Sequence, residues 1–219
     1  MNMPFYVAPE QVMKDRADYA RKGIARGRAL VAARYADGVA MIAENSSATL
    51  RKISEIYDRI AFAGVGRYNE FDQLRVAGVR AADLKGFQYS RDDVDARSLA
   101  NQYAQILGQI FTHEMKPMEV EILVAEVGQS PDSDQMFHIN YDGTVVDKRD
   151  YAVLGGDAAA ISTRVTETFG DSLPDALRGI YPIIATITAD GFTRVEDAEL
   201  AQRYQVIADQ VREHGSSPG

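Results

Sequence analysis

Segments with a β-type pattern come in pairs in this chain, and the pairs lie between helical stretches instead of alternating singly with them. "ALVAARY" and "VAMIAE" flank Ala36-Asp37-Gly38, and "QMFHINY" and "TVVDK" flank Asp142-Gly143. Asp-Gly between two such runs is hairpin chemistry, because the glycine takes the positive φ that a tight turn demands. "MEVEILVAEV" alternates, and "YAVLGG" is an apolar run closed by glycines. "LRKISEIYDR" before "IAFAGVG" reads as a further pair, although "RKISEIYDR" also suits a helix. Hairpins pair antiparallel, whereas a parallel sheet needs a long crossover between successive strands. The expected fold is therefore α+β, with antiparallel sheets and helices layered outside them.

The helical stretches complete the order. Residues 1–8 carry Pro4, Phe5 and Tyr6 without any helical period and read as an extended arm. Pro9 suits a first helical turn, and Val12, Met13, Ala17, Tyr19, Ala20 and Ile24 follow, with acids early, bases late, and Gly23 and Gly27 closing the helix. Two more helices are expected over 67 to about 84 and about 92 to 114. The second places Val94, Leu99, Tyr103, Ile106, Leu107, Ile110 and Phe111 on one broad apolar face. Another covers about 157 to 169, and a further one starts in "SLPDALRGIY", with Pro182 interrupting it. Beyond it, "VEDAELAQRYQVIADQV" reads as helical, or as degenerate strands with "RVEDAELA" and "YQVIAD" as the pair. The 219 residues fit one domain over 9–214, with "GSSPG" at 215–219 expected to be a disordered tail.

Composition narrows the chemistry. A net charge of −8 runs against binding a phosphate backbone, so no nucleic-acid partner is expected. Arg21, Lys22, Arg26, Arg28 and Arg34 form a local basic cluster, read as cations that complement a helix dipole or, more sharply, as a patch for an acidic partner group. Zero cysteines exclude a disulfide framework and a thiolate nucleophile, and agree with a cytoplasmic location. No apolar run approaches a membrane span, and "MNMPFYVAPEQ" lacks the basic start and apolar stretch of a secretory signal.

Motifs for catalysis are thin. Gly64-Val65-Gly66 lacks the third glycine of a dinucleotide fingerprint, since position 69 is Asn, and lacks the Gly-Lys-Ser/Thr of a P-loop. Glycine here is expected to serve close packing. His113, His138 and His214 have no metal-ligand spacing, Asp92-Asp93 suits a helix start, and no Gly-x-Ser-x-Gly elbow occurs. Gly143-Thr144 has the form of a self-cleavage junction ahead of a threonine nucleophile, but in "YDGTVV" it reads as a turn. No metal and no cofactor are expected.

Taken together, "ARKGIARGR", "DGVAMIAEN", "LRKISEIYDRIAFAGVGRYNEFDQLR", "SLANQYAQILGQIFT", "EVEILVAEVG", "INYDGTVVD" and "YAVLGG", in that order, closely resemble the α-type subunit of the actinobacterial core proteasome. The resemblance runs from about residue 3 to 180. It implies the N-terminal-nucleophile hydrolase fold: a four-layer αββα sandwich, two stacked antiparallel sheets between helix layers. It also implies a heptameric ring of identical copies that caps a ring of catalytic β-type subunits and passes protein substrates inward. The other implied partner is a ring-shaped ATPase or ATP-independent activator, with no nucleic acid and no membrane involved.

α-Type subunits of that family are non-catalytic, and the residues agree. Where a β-type chain begins with Thr ahead of its first strand, this one has Gly27-Arg28 behind a whole helix, and Glu44 stands at the family's strand-end Asp. The resemblance assigns Met1, Asn2, Met3, Pro4, Phe5, Tyr6, Val7 and Ala8 to a gate closing the axial pore, and the helix from Pro9 to about Lys22 to the ring's outer face. Lys52 matches the lysine of a pocket between neighbouring subunits that receives an activator's C-terminal carboxylate. On the residues alone, Lys52 reads as an exposed lysine that discourages pairing at a sheet edge. The two closing strands that the family places after its last helix are not evident past residue 180. A stand-alone hydrolase of the same fold is the alternative, told apart by an exposed Thr, Ser or Cys at the mature start instead of Met1 or Asn2. A small-molecule-binding domain, resting on Gly64-Val65-Gly66 alone, is the weakest reading.

Overall fold

The computed structural model describes residues 8–35, 38–45, 47, 49–168 and 182–195. Within them, ten strands form two five-stranded sheets, and every pairing is antiparallel. The first sheet contains β1 (Leu30–Tyr35), β2 (Gly38–Glu44), β8 (Tyr151–Leu154), β9 (Pro182–Thr188) and β10 (Gly191–Arg194). Its order is β10-β9-β2-β1-β8. The second runs β3 (Ile53–Tyr57), β4 (Ile60–Gly66), β5 (Val120–Glu126), β6 (Gln135–Ile139) and β7 (Val145–Lys148) in chain order. Four helices accompany them: α1 (Pro9–Ile24), α2 (Tyr68–Gln88), α3 (Ala96–His113) and α4 (Ala158–Thr168).

Strand alternation explains the layers. Leu30 and Ala32 on β1, Met41 and Ala43 on β2, Ala61, Ala63 and Val65 on β4, and Leu123 and Ala125 on β5 share one buried cluster between the sheets. Their neighbours Phe62, Ile122, Val124, Phe137 and Ile139 point the other way, into a second cluster with Phe71 and Leu74 of α2 and Leu99, Tyr103 and Leu107 of α3. A residue period of two thus feeds two cores from the same strands. On the far side of the first sheet, α4 packs along β8, where the hydroxyls of Tyr151 and Ser162 lie 3.3 Å apart. Helices, sheet, sheet, helix is the expected four-layer order.

Close packing of the α2/α3 layer relies on small residues. A Cβ added to Gly78 of α2 would lie 1.7 Å from the hydroxyl of Tyr103 on α3. Tyr103 is 1% exposed, and its hydroxyl finds no hydrogen-bond partner among the described residues. Burial pushes its pKa up. Gly78→Ala should therefore destabilise the fold by about 1–3 kcal/mol through overpacking. Tyr103→Phe, which removes an unpartnered hydroxyl, should be neutral or stabilising. In the double variant part of the Gly78→Ala loss should return. Thermal unfolding of the four proteins measures the coupling, and strict additivity would contradict the contact.

Two local outcomes resolve or depart from the sequence reading. β3 is a strand, yet Ile53 faces the inter-sheet core and Ile56 faces α2, three residues apart as in a helix. An odd spacing puts Ile53 and Ile56 on opposite faces of a strand, and the register shift between Glu55 and Tyr57 then turns Tyr57 to the same helix-layer side as Ile56. The second departure is at the end of the chain. Pro182 does not interrupt a helix but opens β9, which pairs with β2 from Val39↔Ile187 to Glu44↔Pro182. β9 and β10 are a hairpin closing the first sheet, and "PIIATIT" with "GFTR" are its strands. The helix expected from "SLPDALRGIY" and the segments "AELA" and "YQVIAD" lie outside the described residues.

The hairpin turn at Gly143 is as expected. Gly143 has φ +85, its amide donates to the Asn140 carbonyl at 2.9 Å, and a Cβ there would lie 2.4 Å from the Ala104 carbonyl. Helix α3 begins later than expected, at Ala96, with residues 91–93 forming a separate 3-10 turn. Asp95 caps it by accepting from the Ser98 amide at 2.7 Å. Burial alone would raise the Asp95 carboxyl, but hydrogen bonds from Lys85 and Ser98 outweigh it and hold it low.

Candidate functional site

The glycines of Gly64-Val65-Gly66 are structural. A Cβ on Gly64 would meet the Phe71 ring at 2.7 Å, and Gly66 has φ +110 with the Glu119 carbonyl 2.0 Å from where its Cβ would be. Both let α2 and the start of β5 close over the strand end. Glu119 itself is 6% exposed and lies 3.2 Å from Arg67 Nε and 3.1 Å from Lys116 Nζ. A Cβ on Gly23 would lie 2.2 Å from its carboxylate, so α1 is seated directly on this ion group. Ala20 and Ile24 of α1 pack on Tyr141, and Arg16 donates to the Ile110 carbonyl at 3.1 Å. The helix before β1 is therefore built into the end of the sandwich.

The link from α1 to β1 is held just as closely. Gly156 donates its amide to the Gly27 carbonyl at 3.3 Å, and a Cβ on Gly156 would lie 2.2 Å from the Ala25 carbonyl. Gly155, with φ +102, lies against Val65, Ala29 and Arg28. The glycine pair after β8 thus lets residues 25–29 lie on the sheet end and fixes where the Arg28 carbonyl points.

Register then brings three charged side chains together at that end. Counting outward from Tyr35↔Gly38, the β1–β2 hairpin reaches Leu30↔Ala43, and the Glu44 amide donates to the Ala29 carbonyl at 3.4 Å. Arg28 and Glu44 are neighbours, with Arg28 Nη1 3.3 Å from Glu44 Oε1 and 3.4 Å from Oε2. Lys52 arrives from the other sheet. Its carbonyl accepts from the Gly64 amide at 3.0 Å, extending the β3–β4 ladder, and its Nζ donates to the Arg28 carbonyl at 3.0 Å. Lys52 is half-buried. Burial lowers its pKa, Glu44 opposes that shift, and Arg28 adds to it. The result is a sheltered ammonium at a sheet end, suited to meeting a carboxylate.

Of the residues expected to act, Lys52 is thus placed beside Arg28 and Glu44 at the end of the sheets. The basic cluster does not act as one patch: Arg21 turns to Asp18 at 3.4 Å and over the Tyr141 ring, while Arg28 turns to Glu44. Met1 to Val7 lie outside the described residues. Ala8 precedes α1, its carbonyl accepting from the Gln11 amide at 2.9 Å. His113 ends α3 with Nδ1 3.2 Å from the Gln109 carbonyl, His138 lies 3.7 Å from Glu121, and His214 is outside the described residues. No group of potential metal ligands occurs among the described residues. The pairing of Arg28 with Glu44 was accessible by counting back from the Asp-Gly turn; the approach of Lys52 was not, because it crosses between sheets.

Two stacked antiparallel sheets between helix layers, with a helix fused ahead of the first strand, define the α-type variant of the N-terminal-nucleophile sandwich. A model of the family described as proteasome subunit matches residues 24–174, and the chain belongs to that family. It is 59% identical over 222 residues to the proteasome subunit alpha of Acidimicrobium ferrooxidans, covering 97% of this chain and 96% of that one. It is 58% identical over 196 residues to that of Sanguibacter keddieii, covering 89% and 77%. With the subunit of the same name from Kineococcus radiotolerans it is 52% identical over 217 residues, covering 97% and 92%.

Proposed function

We propose that this chain is a non-catalytic α-type subunit of a core proteasome, forming heptameric outer rings that gate entry to a β-type protease and dock an activator. One observation carries the non-catalytic part. The position ahead of β1 is Arg28, whose amide nitrogen is bonded to Gly27 and whose segment is locked by Gly155-Gly156 and by α1. An N-terminal nucleophile needs a free α-amine beside a hydroxyl or thiol, to serve as its base. Neither group exists at that position. Catalysis then belongs to a β-type partner.

Docking rests on Lys52, whose ammonium is held at a sheet end by one carbonyl and keeps further donors for a carboxylate. The arm Met1 to Ala8 is read as the gate, 9–214 as the domain and 215–219 as a tail. No helix among the described residues is long and apolar enough to cross a membrane. A cytoplasmic complex acting on protein substrates fits that, with no cofactor in its own chemistry.

The purified chain alone should not hydrolyse fluorogenic peptides. Turnover that survives removal of contaminating proteases and is lost on Arg28→Ala would contradict this reading.

A further inference from the structure

Glu44 belongs to the pocket, but its charge has the wrong sign for receiving a carboxylate. Arg28 Nη1 lies 3.3 and 3.4 Å from its two oxygens, so the Arg28 guanidinium is already engaged. Lys52 is engaged as well, by the Arg28 carbonyl at 3.0 Å. The site therefore contains two cations and one anion, and the anion is part of the protein. We propose that Glu44 is an internal competitor for the docking carboxylate: it holds Arg28 until a tail arrives, and its charge then opposes the tail and limits docking strength. This rests on the docking role of Lys52 set out above.

Geometry separates the mobile partner from the fixed one. The Arg28 side chain is 72% exposed and that of Glu44 29%, so the pair is solvated on the arginine side and weak. An incoming carboxylate can take Arg28 over. Glu44 stays near the site, because its strand position is held by its amide donating to the Ala29 carbonyl and by its pairing with Pro182 of β9, and its side chain is the more sheltered of the two. A docked tail would thus share Arg28 and Lys52 with the Glu44 carboxylate. Glu44 also raises the pKa of Lys52, so it reaches both cations of the pocket. Neutralising it leaves two cations facing the tail instead of a net single positive charge.

The test uses the protein assembled with a β-type partner, and as probe a fluorescein-labelled short peptide ending in leucine, made as the free acid and as the amide. Glu44→Gln keeps the shape and removes the charge, and should tighten free-acid binding about three- to tenfold, as expected for one like charge removed near a partly solvated site. Binding of the amide should not change. Free-acid binding by Glu44→Gln should also fall more steeply with added salt than in the parent. Glu44→Ala should behave alike, with native mass reporting that each variant assembles. If Lys52→Ala abolishes free-acid binding while both Glu44 variants bind equally or more weakly than the parent, Glu44 merely props Arg28 and the competitor is overturned. Free-acid binding indifferent to Lys52→Ala overturns the docking role itself, and the competitor with it.

Discussion

Lys52→Ala should leave assembly intact and strip the particle of activator docking. Removing one partner of a sheltered charged contact costs about 2–5 kcal/mol. Lys52 is only half-buried, so the lower end applies, about thirtyfold in affinity for a single pocket. Because an activator ring engages several pockets at once, the loss multiplies and should be near complete at ordinary concentrations. The substitution leaves the fold alone: Lys52 joins the β3–β4 ladder through its carbonyl, and its ammonium contacts one carbonyl.

The pH dependence has a definite sign. Docking of a carboxylate needs the ammonium and raises its pKa, so affinity is complete below the pKa of the unoccupied pocket and declines as pH rises beyond it. That value is already lowered, first by burial, so the decline should begin below 10.5, the ordinary lysine value. Tail-peptide titrations across alkaline pH read this directly. Affinity unchanged by Lys52→Ala would return the residue to an edge lysine without a docking role.

Deletion of residues 2–8 should give the second large effect: faster hydrolysis of long peptides by the assembled particle without any activator. The arm "MNMPFYVA" is short and carries Met3, Phe5, Tyr6 and Val7, too little apolar surface to offset its own ordering. Copies meeting at a ring axis have each other to pack against. The arm enters the structure at Ala8, whose carbonyl accepts from Gln11 and Val12, and α1 behind it is seated on Glu119 and Tyr141. A rigid anchor at Ala8 is what the proposed gate requires, since copies in the proposed ring would then send their arms toward one axis. A short substrate that enters freely should gain less. An assembled truncation that admits long peptides no faster than the parent would remove the gate from this account.

How much was legible follows from how far apart the cooperating residues lie. β1–β2 and β6–β7 were readable because alternation and an Asp-Gly turn are local, and the turn sets the register. β3 was ambiguous because Ile53 and Ile56 stand at the i, i+3 spacing of one helix face, whereas as a strand they serve two different cores. β9 and β10 were not legible although "TITADGFTR" carries the same Asp-Gly signal, because Pro182 reads as a helix breaker, whereas it is tolerated as the first residue of a strand. The charged cluster was visible only in part. Arg28 and Glu44 follow from one hairpin, but Lys52 meets them through a contact between sheets that the Gly155-Gly156 pair makes possible. Nothing near Lys52 in the sequence marks that crossing; the resemblance pointed to Lys52 itself but not to its meeting with Arg28 and Glu44.

The central claim is that this chain builds the non-catalytic ring of a two-component protease. Native mass spectrometry of the purified protein mixed with a β-type subunit, with peptide hydrolysis followed on the same sample, tests it most directly. A stacked particle containing both chains in equal numbers is expected, with hydrolysis lost when the β-type nucleophile is replaced. Failure to co-assemble, or hydrolysis that persists without the β-type nucleophile, would contradict it.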